Sequence, residues 1–280
     1  MTTAFPKTES QPELLQAQSL RGTLPGVVHG FTTSFPFSGD PSASKMAAEL
    51  LASHLGSGAP RPLMLEQPHS ANVLSVEGTL DAASLSRSHA RYRNGFVKGF
   101  DGAETNLATP TMLAIRAADC VPVLAVDRES RRFGALHAGW RGTAAGILSN
   151  LLGAWREKGS SLREVRLAFG PGIRVCCYEV GEDCLSRFDA AHLRGAVQRV
   201  NGASHLDLTE VLRIQARQLG VAASQIEVLP YCTHCHEAPQ GGHPFASYRR
   251  SGSMGSRTEG RNASFIGVGT IKIIGVGAIK

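Results

Sequence analysis

Two consecutive runs decide how this chain is read. The first is Thr111-Met112-Leu113-Ala114-Ile115-Arg116-Ala117-Ala118-Asp119-Cys120-Val121-Pro122-Val123-Leu124-Ala125-Val126-Asp127. The second, after the polar stretch Arg128–Arg131, is Arg132-Phe133-Gly134-Ala135-Leu136-His137-Ala138-Gly139-Trp140-Arg141-Gly142. The first is apolar and β-branched, which predicts a single strand over 111–127. The polar break predicts a turn, and Phe133–His137 returns as its hairpin partner. If Asp127 faces Arg132, paired positions sum to about 259, so Cys120 lies opposite Gly139. His137 is then one diagonal step from Cys120 on the same face, ~7–8 Å away at the backbone. A slip of one residue would send the two side chains to opposite faces. Beyond Gly139, the residues Ala144, Leu148, Leu151 and Trp155 recur at helical spacing. His137 therefore sits at a strand-to-helix junction, where two glycines permit tight geometry and the helix start offers N–H groups to an anion.

Working outward, Val27–Thr33 reads as a strand, Lys45–Leu55 as an amphipathic helix and Leu63–Val76 as a strand interrupted by Gln67-Pro68-His69-Ser70. A proline inside such a run marks an edge, bulge or turn. Downstream, Leu162–Phe169 reads as a strand ending in the loop Gly170-Pro171-Gly172, and Val180–Phe188 as a short helix. Leu206–Gly220 reads as a helix capped by Asp207 or Thr209 and closed by Gly220. Ile226–Leu229 and Ala263–Ile279 read as strands, with Cys232–His243 a loop between them.

The chain has 280 residues, 42% hydrophobic and 19% charged, enough to build a core. Twenty-nine Lys and Arg against 23 Asp and Glu give a net charge of +6. That charge suits an anionic small molecule or nucleic acid, but the basic residues are scattered rather than massed, which favours a mildly basic soluble protein over a nucleic-acid binder. No apolar run approaches a membrane span, and residues 1–18 lack the apolar centre of a signal peptide. These features predict a cytoplasmic protein with no membrane partner; a monomer or weak homo-oligomer is expected, though no sequence feature fixes the oligomeric state. Its six cysteines are then thiols or metal ligands before they are disulfides.

A thiol and an imidazole converging at a hairpin end suit a shared metal, and Asp119 beside Cys120 could orient a ligand or move a proton. The plainer alternative is a small buried thiol and a core histidine. A catalytic zinc needs a third ligand and an open position. His69, in the break between Pro68 and Ser70, is a candidate that local sequence does not single out from ten histidines. A rival metal site is Cys232-Thr233-His234-Cys235-His236 with His243 downstream, but no second C-x-x-C completes it. A plain loop is the default there, and turn formation is the default for Gly170–Gly172. Tyr248-Arg249-Arg250 and Arg257 to Arg261 gather arginines suited to phosphate.

Taken together, several stretches resemble one family. They are Gln67-Pro68-His69-Ser70, Ala118-Asp119-Cys120-Val121-Pro122-Val123, His137-Ala138-Gly139-Trp140-Arg141-Gly142, Gly170-Pro171-Gly172-Ile173 leading to Cys177-Tyr178-Glu179-Val180-Gly181, and Cys232-Thr233 before Phe245-Ala246-Ser247-Tyr248-Arg249-Arg250. They resemble the proteins once labelled multicopper polyphenol oxidases (laccases) and now regarded as purine nucleoside phosphorylases. The resemblance implies an α/β (α+β) mixed-sheet sandwich with flanking helices, a single large domain over residues 26–280 after an N-terminal extension of residues 1–25. It implies a zinc ion, with copper the alternative, held by His69, Cys120 and His137. It implies phosphorolysis of adenosine, inosine, guanosine and S-methyl-5'-thioadenosine, with phosphate as co-substrate, and deamination of adenosine. Within it, Arg141 is expected to hold the anion, Arg250 to be second in that role, and Asp119 to transfer a proton. Ser34 stands where the family usually has an arginine, so phosphate binding is expected to be built differently here. A copper phenol oxidase is the first competing reading, disfavoured by a single H-x-H pair. A non-enzymatic zinc module on Cys232 and Cys235 is the second.

Overall fold

The hairpin predicted at the centre of the chain is present in the predicted register. In the protein, seen in a computed structural model that describes residues 14–36, 62–77, 92–93, 96–109, 111–253 and 260–269, Asp127 pairs with Arg132 and the ladder runs without a bulge to Val121 and Ala138. The strands in chain order are β1 (Leu14–Leu15), β2 (Val27–Pro36), β3 (Pro62–Leu65), β4 (Val73–Ser75), β5 (Tyr92–Arg93), β6 (Phe96–Val97), β7 (Gly102–Asn106), β8 (Met112–Ala117), β9 (Val121–Asp127) and β10 (Arg132–Ala138). They continue as β11 (Val165–Phe169), β12 (Glu179–Val180), β13 (Val197–Val200), β14 (Ala203–Leu206), β15 (Ile226–Val228) and β16 (Gly260–Val268). The helices are α1 (Trp140–Ala144), α2 (Ile147–Glu157), α3 (Glu182–Leu185), α4 (Ala190–Leu193), α5 (Leu208–Gln218) and α6 (Tyr248–Ser253).

The strands form one seven-stranded sheet, ordered β1-β2-β16-β8-β3-β6-β5, and one six-stranded sheet, ordered β15-β11-β9-β10-β7-β4. A small third sheet has the order β12-β14-β13. Period-two alternation divides each strand between two environments. In β9, Leu124 and Val126 join Leu113 and Ile115 of β8 and Phe133 of β10 in the core between the two large sheets. Val121, Val123 and Ala125 face the other way, onto Leu148, Leu151 and Trp155 of α2 and Val211 and Leu212 of α5. Trp155 is fully buried and its indole N–H donates to Glu104 at 2.9 Å. Burial of each such large side chain stabilises the fold by ~1.5–3 kcal/mol. The result is the mixed α/β sandwich with flanking helices that was expected. No helix among the described residues is long and apolar enough to cross a membrane.

Three expectations need correction. The run 111–127 is not one strand: β8 belongs to the seven-stranded sheet and β9 to the six-stranded one, with Ala118-Asp119-Cys120 as the crossover. The run 63–76 is divided in the same way, β3 in the first sheet and β4 in the second, with the crossover at 66–72. The helix read through Ala144–Trp155 is two helices, because Gly146 takes φ +84° and breaks the ladder between α1 and α2. The Asp207 cap is as expected: its carboxylate accepts from the N–H groups of Thr209 and Glu210. The described part of the expected N-terminal extension packs into the same body, since β1 pairs with β2 and Leu20 and Leu24 are buried. The helix read over 45–55 and the strand read beyond residue 269 lie outside the described residues.

Candidate metal centre and cavity

The two crossovers lie side by side, and the end of β10 meets them. This arrangement places the ligand atoms of His69, Cys120 and His137 within 4.8 Å of one another. The His69 and His137 rings meet edge to face, with centroids 5.0 Å apart. Register supplies the Cys120–His137 half of this cluster, since β9 and β10 carry their pairing to the residues beside it. The glycines of the His137–Gly142 stretch make room for it. A Cβ on Gly139 would lie 2.9 Å from Cys120 Sγ and 3.1 Å from His69 Cδ2. A Cβ on Gly142 would lie 2.6 Å from the carbonyl oxygen of Ser70. Neither glycine has positive φ, so close approach explains them rather than turn geometry.

Asp101, which sequence reading passed over, organises the cluster. It is fully buried, and Oδ1 accepts from His137 Nδ1 at 2.9 Å and from the backbone N–H of His69 at 2.9 Å. Its Oδ2 accepts from the N–H of Ser70 at 2.6 Å and from Ser70 Oγ at 2.8 Å. With Nδ1 bonded to Asp101, Nε2 is the ring nitrogen that His137 has left for Cys120 or a metal, the arrangement of a carboxylate-oriented metal ligand. Burial works against the Asp101 carboxylate, but the bonds from His137 and Ser70 outweigh it and hold its pKa below the usual range. Burial also opposes a Cys120 thiolate, yet the charge and hydrogen bonds of His137 and His69 bring its pKa down to about 6. His137 is correspondingly raised to about 9: burial opposes its charge, and Cys120 and Asp101 favour it.

The cluster opens into a cavity of about 580 Å³, within the size range of small-molecule sites. Aromatic rings of Trp140, Tyr178 and Tyr248 line it, as do four arginines, Arg116, Arg141, Arg249 and Arg261. Arg116 is lowered to about 10 by burial and by the like charge of Arg261, so this wall carries concentrated positive charge. Arg141 is exposed, lies with its guanidinium carbon 4.3 Å from the centroid of the Trp140 ring, and forms no ion pair among the described residues. Asp119 is on the wall. Its Oδ1 accepts from Thr233 Oγ1 and its Oδ2 from the N–H of Arg249, each at 2.7 Å.

Arg250, expected second in the anion role, turns its guanidinium to backbone carbonyls. Its guanidinium donates to the carbonyls of Thr233, His234 and Phe245, and it does not line the cavity. Gly170 and Gly172 likewise serve packing. A Cβ on Gly170 would lie 2.2 Å from Phe31, and one on Gly172 would lie 3.2 Å from the carbonyl of Asp119. The loop they form is thereby pressed against the Asp119 crossover, where the N–H of Ile173 donates to the Asp119 carbonyl at 2.8 Å. His234 and His236 join no metal-binding group among the described residues, and the His236 ring packs against Tyr231 and Phe245.

Known proteins resemble this chain over most of its length. Residues 18–269 match the family model described as multi-copper polyphenol oxidoreductase laccase. A relative from Bacteroides thetaiotaomicron named purine nucleoside phosphorylase is 32% identical over 228 residues, covering 79% of this chain and 80% of the relative. A protein from an unknown prokaryotic organism, named adenosine deaminase RL5, is 30% identical over 225 residues, covering 79% of this chain and 82% of its own. The crystal structure of YlmD from Geobacillus stearothermophilus superposes with a TM-score of 0.70 at 28% identity, covering 93% of this chain and 98% of that one. On the extent of the family match and the identity of these relatives, the chain belongs to the multi-copper polyphenol oxidoreductase laccase family.

Proposed function

We propose that the protein is a zinc-dependent enzyme of purine nucleosides, which phosphorolyses adenosine, inosine, guanosine or S-methyl-5'-thioadenosine and also deaminates adenosine. One observation carries this reading: three convergent ligand side chains open into a cavity that also holds aromatic rings and arginines. Two imidazoles and one thiolate form a donor set that suits zinc, and three protein ligands leave a position open. A metal ion held there supplies Lewis acidity and an acidified water. The chain's own residues do the rest. The rings of Trp140, Tyr178 and Tyr248 offer faces for a flat base. Arg141, free of ion pairs among the described residues and on the cavity wall with the metal ligands, holds the phosphate dianion, with Arg116 and Arg261 adding charge. Asp119, with one partner on each oxygen and lone pairs left over, moves the proton at the base. Asp101 orients His137 and braces the His69 loop. Arg250 is assigned a bracing role instead of an anion-binding one.

The relatives named phosphorylase and deaminase support the reaction class. The copper reading draws support from the family description alone. The test is to purify the protein, measure bound metal, and incubate it with adenosine with and without phosphate. Adenine and ribose 1-phosphate are expected only with phosphate, and inosine without it. The reading fails if His69→Ala, Cys120→Ala and His137→Ala leave metal content and turnover intact. Conversion to inosine alone, whatever the phosphate, would keep the deaminase and remove the phosphorylase.

A further inference from the structure

The C-x-x-C of residues 232–235 is completed by cysteines distant in sequence. Cys176, Cys177, Cys232 and Cys235 bring their sulfurs within 4.8 Å of one another, and Cys176 Sγ lies 3.6 Å from Cys235 Sγ. We propose that these four cysteines form a second, structural metal site that takes a zinc ion through four thiolates, separate from the His69–Cys120–His137 cluster. Neither His236 nor His243 is needed for it.

Several independent features point to this site. Sulfurs bonded tetrahedrally to zinc at ~2.3 Å stand ~3.8 Å apart, close to the Cys176–Cys235 separation. A disulfide needs ~2.05 Å and joins only two sulfurs, so it does not explain a cluster of four. The backbone is also folded for the task. Two turns present the cysteines: one closes with the N–H groups of Cys177 and Tyr178 on the carbonyl of Arg174, the other with the N–H of His236 on the carbonyl of Cys232. The turns are held in register, since Gly172 bridges to Cys232 and the N–H of Thr233 donates to the Gly172 carbonyl at 3.1 Å. Arg250 grips the carbonyls of Thr233 and His234, which lie between Cys232 and Cys235 in the chain. Zinc with four thiolates carries a net charge of about −2, which a neighbouring guanidinium offsets.

The two joined turns lead into the cavity wall. Ile173 and Tyr178 line the cavity, and Thr233 holds Asp119. An ion on the four sulfurs therefore staples a part of the cavity wall, which gives the site a structural role.

The test counts metal in the full chain, expressed and purified under reducing conditions with zinc as the probe. About two zinc ions per chain are expected. The double variant Cys232→Ser/Cys235→Ser should lose one and keep the other. The triple variant His69→Ala/Cys120→Ala/His137→Ala should also keep one, and cobalt substituted into it should show the intense sulfur-to-metal charge transfer of a four-thiolate site. If the double variant fails to fold, the single variant Cys176→Ser, at an exposed position, serves in its place and should lower zinc affinity or alter the cobalt spectrum. The inference is overturned if the triple variant binds no zinc, or if the four thiols of the native protein react freely with a thiol reagent in the presence of zinc. It is also overturned if mass spectrometry finds them as disulfides in the reduced preparation. Because the triple variant lacks the candidate catalytic ligands, this result stands or falls apart from the proposed activity.

Discussion

Asp101→Asn tests how the site is organised, since it keeps the shape of a buried side chain and removes its charge. The carboxylate accepts four hydrogen bonds, two on each oxygen. An amide offers one oxygen and one NH2. If the NH2 takes the Oδ2 position it faces the N–H of Ser70, donor against donor. If it takes the Oδ1 position it faces the N–H of His69, and His137 must accept at Nδ1. The imidazole proton then moves to Nε2, the nitrogen otherwise free for a metal. Each charge-assisted bond contributes ~1.5–3 kcal/mol. Losing the partner that orients a ligand histidine typically weakens metal binding 10–100-fold, or ~1.4–2.8 kcal/mol. The two magnitudes agree, so zinc affinity should fall by about one to two orders of magnitude. Competition against a chromophoric chelator measures it, and a circular dichroism melt shows whether the variant is folded. A folded variant that binds zinc within threefold of the parent protein would refute the reasoning. There is also a pH signature. The folded pKa of Asp101 is depressed below its unfolded value of ~3.9. Its contribution to stability is therefore complete above that value and is lost as pH falls through the depressed one. The stability gap between parent and variant should narrow at such acid pH.

Other variants separate the roles of individual groups. Gly139→Ala adds a methyl 2.9 Å from Cys120 Sγ, so metal binding should weaken while overpacking costs ~1–3 kcal/mol in the melt; unchanged binding would mean that the crowding is relieved elsewhere. In metal-stripped protein, Cys120 should be alkylated by iodoacetamide with a pH midpoint of about 6, because its thiolate pairs with His137. Peptide mass spectrometry reads this, zinc should protect the thiol, and a midpoint near an ordinary thiol's ~8.5 would contradict the pairing. Arg141→Ala should lower kcat/KM for phosphorolysis about 10–100-fold through the KM for phosphate, the scale of one charge-assisted bond. Arg250→Lys should leave that KM within twofold and lower the melting temperature, since what it loses is the grip on three carbonyls.

How much of this was legible follows from what each signal depends on. The hairpin register was, because a polar turn and two apolar runs fix a pairing, and the pairing alone brought Cys120 near His137. The Asp207 cap was legible because an N-cap is a local device. The break of 111–127 into strands of two sheets was not. β9 is buried on both faces, which erases the alternation that would mark a strand's environment, and the residue that turns the chain is Asp119 rather than a glycine. His69 required the family resemblance, because nothing nearby in sequence distinguishes it. Asp101 was missed because it acts through hydrogen bonds to residues more than thirty positions away. The four-cysteine cluster was missed for the same reason: Cys176 and Cys235 are 59 positions apart, and neither pair alone offers four ligands.

The location of the site follows from the way the chain changes sheets. Gln67, His69 and Asp119 all take positive φ, at 64°, 67° and 89°, and all three sit on the two crossovers. For non-glycine residues such geometry costs ~1–3 kcal/mol each and persists only where surrounding contacts over-determine it. Those contacts are visible. The Gln67 amide bonds both the N–H and the carbonyl of Arg116, tying one crossover to the strand that enters the other. Asp101 holds the backbone of His69 and Ser70, and Thr233 and Arg249 hold the Asp119 carboxylate. A metal ion has strict demands on ligand position, and a smooth strand end would present His69 and Cys120 on flexible tails. Two strained crossovers, each fixed by side chains from the other parts of the fold, present them from backbone that has little freedom to move. The strain is thus the structural means by which ligands 51 residues apart in sequence, His69 and Cys120, are held within bonding reach of one ion.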